Sequence, residues 1–328
     1  MRRLLRSFTY LFFAIFLMPV LYAQPPHPKA AGLRPDAPVY AKHGPYWVGT
    51  QEMDFQTHGG NSGQGDRKLQ AFWWYPALNP QGKNEDLRHG IQNAPPDPSS
   101  APYPLVVLLH CKVGSPVYYH HLLAHLASYG MVVLAVDYQK NLVPSLVPQT
   151  LDFAASLNKA GTPFQGLLDP GRVGMVGHSL GARITARMAG APLDPNAPPL
   201  PQDPRVKAIV LADPDVAYGP ANAFDAVKLP AMVMLVTIQA FISLEDGKMV
   251  YETLPTKEKS LVVFPHGDHD FIQDPDQPSR YRITDLTCHF TTAFLLATLK
   301  SNAQARAALL PGAVHFPEVR YTTAFPGR

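Results

Sequence analysis

Arg172-Val-Gly-Met-Val-Gly-His-Ser-Leu-Gly-Ala-Arg183 is a short apolar run that breaks into Gly177-His178-Ser179-Leu180-Gly181 and then reads as helix. Gly-x-Ser-x-Gly between a strand and a helix is the pattern of a nucleophile elbow, a turn that holds its serine in a strained backbone conformation. Only glycines at 177 and 181 let strand and helix approach that closely, and Ser179 Oγ is then raised above the sheet edge. The five residues alone also suit an ordinary turn. The flanks favour the elbow: Asp169-Pro170-Gly171 is a turn signal before the strand, and Ala182 to Met188 reads as helix after it.

Tyr103-Pro-Leu-Val-Val-Leu-Leu-His110 and Met131-Val-Val-Leu-Ala-Val-Asp137 are continuous apolar runs of strand length, as parallel strands covered on both faces require. Between them Ser115-Pro116 opens a helix that Gly130 stops, and this strand, helix, strand cadence makes a right-handed parallel unit. Pro144 to Ala160 reads as the helix leading into the elbow strand. Further strands are predicted over Arg205 to Asp213, Ala231 to Thr237 and Ser260 to Phe264, and helices over Glu245 to Leu254 and Tyr281 to Lys300. Gly44 to Phe55 and Lys68 to Tyr75 are β-rich and joined by a glycine-rich turn, which predicts an antiparallel hairpin at one sheet edge. Pro76 to Pro104 reads as a long surface loop. The sum is an α/β fold, a mostly parallel sheet of about eight strands with helices on both faces.

At 328 residues with 46% hydrophobic content, the chain is long enough to bury a sizeable core. Met1 to Ala23 opens with Arg2, Arg3 and Arg6, continues through an apolar Tyr10 to Met18 and ends in Leu-Tyr-Ala, the layout of a cleaved secretory signal. A membrane anchor is the other reading, but the run is shorter than the roughly 20 residues a spanning helix needs. Residues 24–43 form a proline-rich leader, 44–300 the α/β domain, and 301–328 a C-terminal extension with no assigned role. The net charge of +3 comes wholly from the three leader arginines, because the other 25 basic residues match 25 acidic ones. A neutral mature chain gives nucleic-acid binding no electrostatic support. Cys111 and Cys288 are too few for a disulfide framework and read as ordinary buried thiols, although export would permit one bridge. His121 and His125 have the i, i+4 spacing of a metal pair, without the intervening glutamate of a zinc protease or an evident third ligand.

Val-Gly-His-Ser-Leu-Gly within an alternating β/α chain resembles the α/β-hydrolase superfamily. Gly44-Pro-Tyr-Trp-Val-Gly, Trp74-Tyr-Pro-Ala77, Leu122 to Asp137 and Gly267-Asp-His-Asp-Phe271 narrow the likeness. They are similar to dienelactone-hydrolase-like proteins, related to platelet-activating-factor acetylhydrolases and cutinase-like polyester hydrolases. The resemblance implies the order Ser, acid, His, so the base lies C-terminal to Ser179 among His266, His269, His289 and His315. His269 follows the last long strand, where similar families carry their base. Those families usually carry the acid after the strand ending near Thr237, but Ile238 to Leu244 holds no carboxylate. Asp213 at the end of the preceding strand matches the acetylhydrolase placement. Asp246 or Glu245, reaching back from the next helix, and Asp215 are the alternatives, and a turn-forming Asp-Pro explains Asp213 equally well. Leu180 N–H is expected to supply one oxyanion donor and, by position, Lys112 N–H the second. The implied function is an exported, cofactor-free serine esterase acting on a small or polymeric ester, with no membrane anchor once the signal is removed. Its rivals are a peptidase or amidase with the same triad and a binding protein on a hydrolase scaffold.

Overall fold

A computed structural model describes residues 31–59, 65–138, 143–192, 202–215, 223–238 and 242–326. Residues 1–30, which include the expected signal segment 1–23 and the first part of the proline-rich stretch, lie outside them. One sheet organises the chain. Its eight long strands are β1 (Trp47–Thr57), β2 (Arg67–Ala77), β4 (Tyr103–Leu109), β5 (Val132–Asp137), β6 (Leu168–His178), β7 (Val206–Ala212), β8 (Ala231–Ile238) and β9 (Lys259–Asp268). Two short strands, β3 (Ile91–Gln92) and β10 (Arg320–Thr323), close the edges, giving the order β10-β9-β8-β7-β6-β4-β5-β2-β1-β3. The six central strands β4 to β9 run parallel, and β2 and β10 flank them antiparallel.

The apolar runs explain this layering. Every residue of β4 is buried; Leu105, Val107 and Leu109 enter one core while Val106 and Leu108 enter the other. A strand that alternates between two apolar layers needs helices on both sides. Helices α2 (Leu146–Ser156), α3 (Leu180–Met188) and α4 (Leu244–Thr253) cover one face. Helices α1 (His120–Ser128), α5 (Tyr281–Leu299) and α6 (Ala303–Ala307) cover the other. The hairpin forms as expected, with β1 paired to β2 from Trp47↔Ala77 to Thr57↔Arg67.

Three segments carry more structure than the sequence suggested. Residues 31–43 are strapped to α1 and α5: Asp285 accepts Leu33 N–H at 2.9 Å and Arg34 N–H at 3.1 Å, and His125 Nε2 donates to the Tyr40 carbonyl at 2.7 Å. The C-terminal residues supply α6 and β10, and β10 caps the β9 edge while Ser260 Oγ meets both Tyr321 Oη and Thr323 Oγ1 at 3.0 Å. Within the loop of residues 76–104, β3 pairs with β1. Cys111 and Cys288 are both buried free thiols.

Candidate active site

The parallel strands end on one rim, and the loops that follow β4, β6, β7 and β9 gather there. Ser179 follows β6 with φ +57° and ψ −116°, a conformation that side chains other than glycine rarely adopt. It is held by Ser179 N–H to Ala212 O at 2.9 Å, while its carbonyl accepts from Arg183 N–H at 3.1 Å and Asp215 N–H at 3.2 Å. The flanking glycines are sterically required. A Cβ on Gly181 would stand 1.9 Å from the Leu109 carbonyl oxygen, and one on Gly177 2.5 Å from Ala182 Cα. The elbow therefore exists because α3 is pressed against β4 and β6.

Asp213 follows β7, also at positive φ (+39°), with its N–H donated to the Met234 carbonyl at 2.8 Å. Two of the four non-glycine residues at positive φ among the described residues thus belong to this rim. Strain of this kind costs about 1–3 kcal/mol per residue and persists where surrounding bonds over-determine it. Asp213 is fully buried, and His269 in the loop after β9 meets its Oδ2 through Nδ1 at 2.5 Å. A carboxylate can only accept, so Nδ1 carries the proton, and in the neutral ring Nε2 is the nitrogen able to accept one.

His269 and Ser179 line one open cavity of about 480 Å³ together with Leu180, Cys111 and Lys112. Leu180 is the first residue of α3, so its N–H is among the donors a helix leaves unsatisfied at its positive end. In the β4 loop, Cys111 N–H is donated to Tyr119 Oη at 3.3 Å. The Cys111 carbonyl accepts from His110 Nδ1 at 2.7 Å and from Gly114 N–H at 3.1 Å. Tyr138 N–H donates to His110 Nε2 at 3.3 Å, so the proton of this neutral imidazole sits on Nδ1. Burial lowers the His110 pKa, which suits that form. In a trans peptide, C=O and N–H point in opposite directions. Fixing the Cys111 carbonyl therefore also fixes the direction of the Lys112 N–H, while the Lys112 side chain is exposed.

The remaining sequence candidates fall elsewhere. Asp246 is exposed at the start of α4, where Ser243 Oγ accepts its N–H at 3.0 Å and bonds its Oδ2 at 2.6 Å. It belongs to the first turn of α4, which Ser243 caps, and the carboxylate that reaches His269 is Asp213. Glu245 is exposed beside it, and Asp215 lines the cavity but gives its backbone N–H to Ser179. Residues 239–241 of the carboxylate-free stretch lie outside the described residues. His266 and His315 are exposed, whereas His289 is buried in α5 and accepts Tyr40 N–H at 3.3 Å. The His121/His125 spacing places both rings in the interior, with His125 engaged by the Tyr40 carbonyl.

Sequence reasoning passed over His178, the residue before the serine. It is fully buried, and burial above all, with the neighbouring His269, pushes its pKa down to about 3. Its ring lies 4.6 Å from that of His269, centroid to centroid.

This strand order, with an elbow after β6 and helices on both faces, is the α/β-hydrolase fold. A ferulic acid esterase from Streptomyces cinnamoneus is one solved structure with a similar fold. It has a TM-score of 0.60 and 20% sequence identity over 85% of this chain and 97% of that chain. No protein-family model matches the sequence, and no curated protein matches it.

Proposed function

We propose that this protein is an exported serine hydrolase that cleaves carboxylic esters through Ser179, His269 and Asp213. The observation that carries the reading is the His269 to Asp213 bond at 2.5 Å, with that histidine and the elbow serine facing one cavity. His269 Nε2 takes the Ser179 proton as Oγ adds to the ester carbonyl, and Asp213 stabilises the imidazolium that forms. The oxyanion is met by the N–H groups of Leu180 and Lys112. Collapse of the tetrahedral adduct breaks the ester C–O bond, and the His269 proton goes to the departing alcohol. Water activated by the same imidazole then releases the acid and restores the serine. The fold shared with a ferulic acid esterase supports an ester as substrate, and the N-terminal signal pattern supports export. The cavity lining includes the apolar Val113 and the aromatic Tyr118 as well as the polar Asp215, Asp270 and Gln273, a mixture suited to an ester with one apolar arm.

Turnover of p-nitrophenyl butyrate and of the matched p-nitroanilide by the wild type and by Ser179→Ala tests this. Ester turnover that disappears in Ser179→Ala, with far slower anilide cleavage, is expected. Preferred anilide cleavage assigns an amidase, and no turnover of either compound contradicts the proposal.

A further inference from the structure

Four polar groups form a directed chain from the oxyanion side of the site to the base. Cys111 N–H donates to Tyr119 Oη at 3.3 Å, Tyr119 Oη meets His178 Nδ1 at 2.8 Å, and His178 Nε2 meets the His269 carbonyl at 2.8 Å. The donors can be assigned by elimination. A backbone carbonyl only accepts, so His178 Nε2 carries a proton. Nδ1 of the neutral ring then accepts, so the Tyr119 hydroxyl donates its proton to it and its oxygen is free to receive Cys111 N–H. Every member has a partner, and both side chains are completely buried. In a low-dielectric interior such a chain is stiff, because breaking one bond strands two buried groups.

We propose that Tyr119 and His178 are positioning residues that hold the His269 loop and the Cys111–Lys112 loop at a fixed separation, so that the base at Ser179 Oγ and the donors at the carbonyl oxygen act on one ester group. This deepens the esterase reading and rests on it. Neither side chain lines the cavity, so both act through the groups they hold. The His269 loop has a second fastening, because Asp274 N–H donates to the Tyr118 carbonyl at 2.6 Å and Asp274 Oδ1 accepts His121 N–H at 2.8 Å. Loss of the Tyr119 hydroxyl therefore loosens the alignment of the two loops while leaving them attached.

The test is steady-state ester kinetics, per active site titrated with a fluorophosphonate, for wild type, Tyr119→Phe, His178→Gln, His178→Leu and the double variant Tyr119→Phe/His178→Leu. Displacing a reacting group by about 1 Å costs on the order of 10²-fold. Tyr119→Phe is expected to lower kcat by about 10- to 100-fold while KM stays within about threefold, since alignment rather than binding is lost. His178→Leu falls further, and His178→Gln, which keeps a donor for the His269 carbonyl, recovers part of that loss. The double variant is expected to be no worse than His178→Leu, because the two side chains act through one chain of bonds. An active wild type with Tyr119→Phe at undiminished kcat overturns the proposal and leaves the esterase reading intact. Equal activity of the Gln and Leu variants, or additive losses in the double variant, also overturns it. An inactive wild type contradicts the esterase reading itself. Should Tyr119→Phe fail to fold, the Gln and Leu pair decides.

Discussion

Two groups of histidines, one at the sheet rim and one on α1 and α5 against residues 31–43, behave differently. At the rim, His269 is about one-eighth exposed and hydrogen-bonded to a fully buried carboxylate. On α1 and α5, His121, His125 and His289 are buried among backbone and aromatic groups, with His125 donating to Tyr40 O and His289 accepting Tyr40 N–H. Burial pushes their pKa values down to about 4, 3 and 4, reinforced by Arg88 at His121, by the neighbouring His121 at His125 and by Arg282 at His289. One residue type thus serves two ends. A carboxylate partner prepares an imidazole to accept a proton during reaction, whereas burial against carbonyls and rings keeps it neutral and structural.

The sharpest way to break this contrast is to remove the carboxylate. Asp213→Ala is expected to lower kcat by roughly 10⁴-fold, the scale on which a triad acid acts, as read by ester kinetics with active-site titration. Retention of full activity would move the acid elsewhere.

Acidification probes the other region, together with His120 and the rim residue His178, which burial also pushes down to about 4 and 3. These imidazoles have folded pKa values below the unfolded value of about 6.5, so the fold favours their neutral forms. Their contribution is fully present above about pH 6.5 and is lost as pH falls towards 4 and then 3. Chemical denaturation followed by circular dichroism is expected to give constant stability from pH 8 to 7 and a steady decline below about 6.5. A flat profile down to pH 4 would contradict their burial as neutral groups.

Smaller effects sharpen the division. His125→Leu leaves the Tyr40 carbonyl without its donor and is expected to cost about 1–3 kcal/mol in denaturant unfolding, with kcat per titrated site changed by less than about twofold. Ser243→Ala removes the cap of α4 and is expected to cost about 1 kcal/mol, again without effect on kcat.

Much of this was legible in the chain, for identifiable reasons. Strands buried on both faces must be apolar, so β4, β5 and the buried stretches of β7 and β8 stand out. Strands β3 and β10, of two and four residues, are too short to show a period and form only because a neighbouring edge offers partners. Ser179 is marked by glycines that sterics demands, and His269 by its place after the last long strand. With no carboxylate after β8 several acids stay open, and Asp213 is singled out by the resemblance to acetylhydrolases, which implies an acid at the end of the preceding strand. The Tyr119 and His178 pairing had no local signal, because it joins residues 59 positions apart through side-chain atoms alone. The leader's prolines suggested a surface segment, while its attachment at residues 31–43 depends on Asp285 and His125 far along the chain.

The most direct measurement is the rate at which a fluorophosphonate labels the wild type, Asp213→Ala and Asp246→Ala, followed by intact mass and peptide mapping. A relay through residues 213 and 269 requires one adduct, on Ser179, forming equally fast in wild type and Asp246→Ala and at least about 10³-fold more slowly in Asp213→Ala. Labelling of Asp213→Ala at the wild-type rate, or an adduct on any other residue, would contradict it.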